Sequence, residues 1–265
     1  MPLSCCCRCR LDYFALICLS FVTRVVLVMP KRRRAAAHAD QDVSPSKRTN
    51  TSLSSEETFR SLSKLGRTFY DTKCEDLAKA LLGKVIVRLV NDHILAARIV
   101  ETESYLGGED KASHSHKGKT ARNAAMFMEP GTCYVYNIYG TLQCVNISSQ
   151  GEGAAVLIRS LEPLVGIEHM EQLRKSAQKS SSKAVKKKGL CSGPSKLCQA
   201  MNITKSEFDQ KDLTELELFY LVDDGFVVSD GDIVTKARVG LGDFGEWTAK
   251  PLRFYIASNA FVSVK

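Results

Sequence analysis

The stretch KVIVRLVNDHILAARIVETESYL, residues 84–106, decides the fold. Both halves are rich in Val, Ile and Leu, and β-branched residues suit a pleated surface. Asn91-Asp92 supplies a turn between them, so the stretch reads as an antiparallel hairpin. Alternate residues of a strand share a face. Ile99, Glu101, Glu103 and Tyr105 therefore point one way, and Val100, Thr102, Ser104 and Leu106 the other. Two carboxylates and a tyrosine on one face of an apolar strand have two readings: a solvated sheet face, or the wall of a site. The strand then breaks at Gly107-Gly108 into a loop carrying Glu109, Asp110, His114 and His116.

Upstream, Thr72-x-x-Glu75 has the capping-box pattern, with Leu77, Ala78, Leu81 and Leu82 as the apolar face of a helix and Gly83 as its stop. Downstream, GTCYVYNIYG (131–140) and LQCVNISS (142–149) form a second hairpin about Gly140-Thr141, and VLIRSL (156–161) is a further strand. Glu162-Pro163 is expected to open a helix with Leu164, Ile167, Met170 and Leu173 along one side. KSAQKSSSKAVKKKG (175–189) is a low-complexity basic loop. CSGPSKLCQAM (191–201) reads as a tight turn entering a short helix, and strands near 234–239, 253–257 and 261–264 close the body. The expected fold class is α/β (α+β). One compact domain, residues 56–265, has a mixed, largely antiparallel curved sheet flanked by helices, and a tail, residues 1–55, precedes it.

The chain has 265 residues with 37 Lys+Arg against 29 Asp+Glu, a formal charge of +8. Residues 1–55 hold nine basic and three acidic residues, leaving 28 against 26 in the body. The body's net charge alone therefore does not announce a nucleic-acid partner; a basic footprint would have to come from clustering. Five of the ten cysteines lie between Cys5 and Cys18. The others (Cys74, Cys133, Cys144, Cys191, Cys198) are scattered without a CxxC pair, which fits reduced, buried thiols.

Residues 11–29 are apolar but interrupted by Asp12 and Arg24, too short a run to span a membrane, and no membrane partner is expected. The segment resembles a signal or transit sequence. Met29-Pro30 followed by Lys31-Arg32-Arg33-Arg34 would instead make an alternative start on a nuclear-import cluster. The expected location is the nucleus, the alternative a mitochondrion or another organelle. Residues 35–55 are polar and Ser/Thr-rich, the composition of a disordered linker.

In YVYNIYG, Tyr134, Tyr136 and Ile138 share one strand face and Val135, Asn137 and Tyr139 the other, with Tyr139 against the turn at Gly140. They are either ordinary sheet aromatics or a stacking platform with a protruding wedge, as nucleic-acid binders use. Glu101, Glu103, Glu109, Asp110, His114 and His116 are of metal-ligating type, but no HxxxH or HExxH pattern is present. A single buried carboxylate acting as general base is the simpler use.

The blocks RIVETESYLGGEDKASHS, TARNAAMFMEPGTCYVYNIYG, NISSQGEGAAVLIRSLEPL, CSGPSKLCQA, ARVGLG and GEWTAKPLRFY resemble, in that order over roughly residues 60–265, the alkyladenine (3-methyladenine) DNA glycosylase family of the mammalian type. The resemblance implies an enzyme that acts as a monomer on double-stranded DNA containing damaged purines. It flips the nucleotide out and hydrolyses the N-glycosidic bond without metal or cofactor. Residue by residue, Glu103 matches the general base. Arg159 and the backbone carbonyl of Val239 match the groups that hold the water. Tyr105, His114 and Tyr136 match the aromatic walls around the base. Ala112 and His114 lie where backbone contacts to the base edge are expected. Asn146 matches the residue that excludes guanine, and Tyr139 the intercalating wedge. Glu101 is read as structural, paired with a basic partner. Two positions depart from the family pattern: Thr141-Leu142 replaces a bulky pair, and Ser195 stands where a glycine is usual. Two other classes fit the same residues: a damaged-DNA-binding module without catalysis, and a metal-dependent nuclease using Glu101, Glu103 and His114.

Overall fold

The computed structural model describes residues 55–177 and 185–265. The chain divides into Met1–Asn50 and Thr51–Lys265, and everything described belongs to the second unit. The apolar segment, the basic cluster and nearly all of the linker, together with residues 178–184 of the expected basic loop, therefore lie outside the described residues, while residues 175–177 of that loop instead close the helix ending at Ala177.

The hairpin forms as the pattern predicts, with β1 at Val85–Val90 and β2 at His93–Tyr105. Asn91 takes the turn with φ 53°, a left-handed conformation that Asn tolerates. The second hairpin pairs β3 (Cys133–Ile138) with β4 (Leu142–Ser148), and β5 (Ala155–Val165) lies between β4 and β2. β6 (Phe219–Val222), β7 (Ile233–Lys236) and β8 (Arg253–Ile256) complete an eight-stranded sheet. Its main path runs β3-β4-β5-β2-β1-β6, with β7 joined through β8, and every strand pair is antiparallel. The seven described helices are short: α1 (Ser55–Ser61), α2 (Arg67–Tyr70), α3 (Cys74–Ala80), α4 (Ile167–Ala177), α5 (Pro194–Ala200), α6 (Lys205–Phe208) and α7 (Glu246–Ala249). None is long or apolar enough to cross a membrane.

β2 is the hub. Residues 93–98 pair with β1 and Glu101–Glu103 with β8, while β5 runs along the other edge. The register slips between Ile99 and Thr102, where β1 gives way to β8. An extra residue in one strand bends it and increases its twist, which curves the sheet. The slip also corrects the simple alternation. Ile99 joins Val100 in the main core, whereas Thr102 and Ser104 donate to the Ala78 and Cys74 carbonyls of α3. Glu101, Glu103 and Tyr105 keep the shared face they were expected to have. That face is not solvated: both carboxylates are completely buried.

Three local expectations change. α3 has Lys73 as its N-cap with no side-chain cap, because Thr72 turns its hydroxyl back to the Phe69 carbonyl. Glu162-Pro163 continues β5 instead of opening a helix. Only β2 pairs with the strand there, and an edge tolerates a residue without N–H. Of the four expected apolar residues, Met170 is buried and Ile167 and Leu173 pack on the core, but they sit on a helix that begins at Ile167. Residues 261–264 form no strand; their backbone bonds to side chains of the sheet, described below. The five described cysteines are free and buried, as expected.

Candidate active site

The curvature of the sheet opens a cavity of about 590 Å³ over the C-terminal half of β2. All nine residues singled out from the sequence line it. β2 supplies Glu103 and Tyr105, β3 Tyr136, β4 Asn146 and β5 Arg159, while Tyr139 stands at the β3–β4 tip. Ala112 and His114 come from the loop after β2, and Val239 from the segment after β7.

Glu103 sits near the C-terminal end of β2, paired across the sheet with Leu157 and Arg253. Its Oε1 accepts the Val239 N–H at 2.7 Å and lies 3.1 Å from Arg159 Nη1. Its Oε2 accepts the Tyr105 hydroxyl at 3.0 Å. Burial pushes its pKa above the ordinary carboxylate value, against the pull of Arg159, the Val239 N–H and the Tyr105 hydroxyl, while Glu101 adds to the rise. A carboxylate oxygen can accept two hydrogen bonds, so Oε2 keeps capacity for a further donor in the cavity. The group is thus both ionisable and more basic than a surface glutamate, as a general base requires.

Arg159 ties Glu103 to Glu101, its Nε donating to Glu101 Oε1 at 3.0 Å. Burial lowers its pKa, but the two carboxylates outweigh burial and leave it raised. Glu101 also accepts from Arg253 Nη1 at 2.9 Å and from the Ser263 N–H at 2.7 Å. Its charge is fully answered inside the fold, the structural role foreseen for it.

The walls are aromatic. Tyr134 and Tyr136 stack at 5.1 Å, and His114 meets Tyr136 edge-on at 4.7 Å. His114 Nδ1 shares a hydrogen bond with the Tyr134 hydroxyl at 2.9 Å. Desolvation of the ring, and then the Arg122 charge, lowers the His114 pKa, which favours neutral imidazole. Asn146 is buried, with its Nδ2 donating to the Tyr134 carbonyl at 3.1 Å. Tyr139 is 93% exposed with φ 47°, followed by Gly140 at φ 83°.

Sequence reading did not foresee the knot behind the cavity. Arg238 and Asp110 form a buried ion pair, with Arg238 Nη2 2.8 Å from Asp110 Oδ1. Asp110 also accepts the Leu106 and Ala112 N–H groups, and the Arg238 guanidinium lies 4.6 Å over the Tyr105 ring. One pair thereby fixes the loop of Ala112 and His114, the Tyr105 wall and the segment of Val239. Asn123 helps by donating to the His114 carbonyl at 2.9 Å. Gly107 opens this loop with φ 95°, and a Cβ there would meet the Glu152 carbonyl oxygen at 2.3 Å. The sequence signal was the Gly-Gly break next to an acid; the arginine partner lies 128 residues away. Among the described residues no three His, Cys, Asp or Glu side chains form a group that could hold a metal ion.

A family model described as Methylpurine-DNA glycosylase matches residues 68–260. The DNA-3-methyladenine glycosylase of Homo sapiens is 54% identical over 206 residues, covering 77% of this chain and 69% of that protein. The Mus musculus protein of the same name is 53% identical over 206 residues, 76% of this chain and 61% of its own length. A relative from Clostridium perfringens (strain 13 / Type A) is 44% identical over 206 residues, which cover 76% of this chain and 100% of that protein.

Proposed function

The chain belongs to the methylpurine-DNA glycosylase family, monofunctional DNA glycosylases of base-excision repair, and from that premise we propose its substrates and its mechanism. The substrates are alkylated or deaminated purines in double-stranded DNA: 3-methyladenine, 7-methylguanine, ethenoadenine and hypoxanthine. The enzyme flips the nucleotide into the cavity, because the glycosidic bond is out of reach inside a stacked duplex. Tyr105, Tyr136 and His114 hold the purine between them. The Ala112 N–H is taken by Asp110 and the His114 carbonyl by Asn123, so the Ala112 carbonyl and the His114 N–H are the groups left for the base edge.

A water held by Arg159 and the Val239 carbonyl gives its proton to Glu103 as its oxygen attacks C1′. The C1′–N bond breaks, its electron pair leaves with the purine, and an abasic site remains. A cationic alkylated purine is already a good leaving group, so a single base suffices. The observation that carries this reading is the buried Glu103 carboxylate, with raised pKa, opening into an aromatic-walled cavity beside Arg159. The enzyme works as a monomer, and the basic cluster Lys31–Arg34 directs it to the nucleus.

The test is Glu103→Gln in single turnover on a duplex holding one hypoxanthine. The amide keeps the shape but cannot take the water's proton. Lesion binding should persist while base release falls by about 10²–10⁴-fold. Excision at the wild-type rate would remove Glu103 from the mechanism.

A further inference from the structure

The segment that failed to form the expected last strand lies against the buried carboxylates instead. The Ser263 N–H donates to Glu101 Oε2 at 2.7 Å, and Arg159 Nη2 reaches Ser263 Oγ at 3.4 Å. Arg253 Nη1 spans Glu101 Oε1 at 2.9 Å and the Val264 carbonyl at 2.7 Å. The segment is anchored independently: Val262 is buried, and the Phe261 carbonyl accepts the Ser160 hydroxyl at 2.6 Å. Residues 261–264 thus form a strap across a buried chain of charges, Arg253–Glu101–Arg159–Glu103.

We propose that Glu101 and the Ser263 N–H are positioning residues of the reaction, which set how much of the Arg159 charge reaches Glu103. The inference rests on Glu103 being the base. Among the described residues, Arg159 is the cation that touches both carboxylates. Every donor that the strap and Arg253 give Glu101 relieves its demand on Arg159. A guanidinium less engaged by Glu101 supports the ionised form of Glu103 more. Glu101 itself opposes that form as a like charge. The other groups facing Glu103 are the Tyr105 hydroxyl on β2, the Val239 N–H, and, at longer range, Tyr136 on β3 and Cys144 on β4. None of them touches Glu101, so a change at Glu101 or Ser263 reaches Glu103 through Arg159 or through space.

Two substitutions should move the base in opposite directions. Glu101→Gln removes the like charge and leaves Arg159 to Glu103 alone. Glu103 then ionises more readily, and the acidic limb of the pH–rate profile moves down by about one pH unit, with a lower plateau because a weaker base remains. Ser263→Pro, compared with Ser263→Ala so that the hydroxyl beside Arg159 is absent from both, deletes the N–H while Val262 and Phe261 still hold the strap. Glu101 then leans harder on Arg159, and the limb moves up.

The experiment is single-turnover release of 7-methylguanine from duplex DNA methylated at guanine N7, followed against pH for the wild type, both variants, the Ser263→Ala reference and Glu103→Gln. A cationic base needs no protonation to leave, so the acidic limb reports the general base. Opposite displacements of the limb in the two variants, with unchanged DNA affinity, are the expected result. A fall in rate at all pH values without displacement, or displacement in one common direction, overturns the proposal and leaves Glu101 a structural residue. If Glu101→Gln does not fold, the upward displacement in Ser263→Pro decides alone. If Glu103→Gln keeps the wild-type limb, the assignment of the base has failed instead, and the two failures are distinguished.

Discussion

At the scale of single residues, we propose that Asn146 sets selectivity. It is buried on β4, opposite Tyr134 of β3 and Leu157 of β5. A buried amide is costly unless it is bonded. Its Nδ2 is fixed by the Tyr134 carbonyl, so the side chain is a rigid part of the cavity lining. Hypoxanthine and adenine derivatives carry hydrogen at C2, where guanine carries an amino group. A rigid amide against that edge would reject guanine by crowding. Asn146→Ser shortens the side chain and should release normal guanine measurably from duplex DNA, while hypoxanthine release falls only modestly. Unchanged rejection of guanine by the folded variant would return Asn146 to a purely structural role. Glu103 shows the stability side of the same economy of placement. Its raised pKa means that the folded protein prefers it neutral, so this contribution to stability is present at low pH and lost as pH rises through the raised pKa. Glu103→Gln should therefore melt no lower than the wild type at neutral pH, even where base release is lost. A marked drop in melting temperature would mean that the pairing with Arg159 outweighs the cost of burial.

At the scale of elements, the β3–β4 hairpin presents the residue proposed as the wedge, Tyr139, at its tip. Ile138 pairs with Leu142, so the turn is the three-residue loop Tyr139-Gly140-Thr141, and Tyr139 and Gly140 both take positive φ, 47° and 83°. A tyrosine in that conformation costs about 1–2 kcal/mol, and here the ring stands almost wholly in solvent. Among the described residues the Tyr139 side chain gains little packing to offset that strain, whereas filling a vacated base stack would offset it. Tyr139→Ala should weaken binding to a duplex holding a lesion, because unstacking costs a few kcal/mol per base and loses its compensation. Binding to undamaged duplex should barely change, and equal losses on both would argue against a wedge. This element was legible from alternation and a Gly turn alone, and so was the hairpin of β1 and β2. The start of α4 was not, because Glu162-Pro163 is a good helix opening by local rules and only pairing with Ala97 and Arg98 of β2 holds it extended. The expected strand at 261–264 failed for a like reason. Its polar bonds go to Glu101 and Arg253, and partners 162 and 11 residues away leave no periodic trace. Residue types at the site were readable because a carboxylate and tyrosines on apolar strands break the pattern. The Arg238–Asp110 knot was not, since a buried ion pair obeys the fold and not the local sequence.

The molecule as a whole divides its charge unevenly, and this has a measurable consequence for DNA binding. Affinity for the phosphate backbone depends on how many counterions the basic residues displace, so its logarithm falls with the logarithm of salt by about 0.9 per phosphate contacted. Residues 56–265 hold 28 basic and 26 acidic residues, and several of the basic ones are spent in ion pairs: Arg159 and Arg253 with Glu101, Arg238 with Asp110, Arg98 with Asp224. The segment 1–55 adds nine basic residues against three acidic ones. The body should therefore find lesions through shape and the cavity, and the segment 1–55 should add affinity without specificity. The relative from Clostridium perfringens is matched over its whole length by the 206 shared residues, so the matched body is a sensible unit to compare with the full chain. Removing residues 1–55 should weaken binding to undamaged duplex at low salt and reduce the salt slope by several units, if most of those nine charges meet phosphate. Excision at saturating enzyme should keep its rate, because Glu103, Arg159 and the aromatic walls all lie in the body. Titrations of both forms against salt, with single-turnover rates beside them, separate the two contributions. An unchanged slope would place the whole electrostatic footprint in the body, and a fall in the saturated rate would give the segment 1–55 a part in catalysis that its charge does not require.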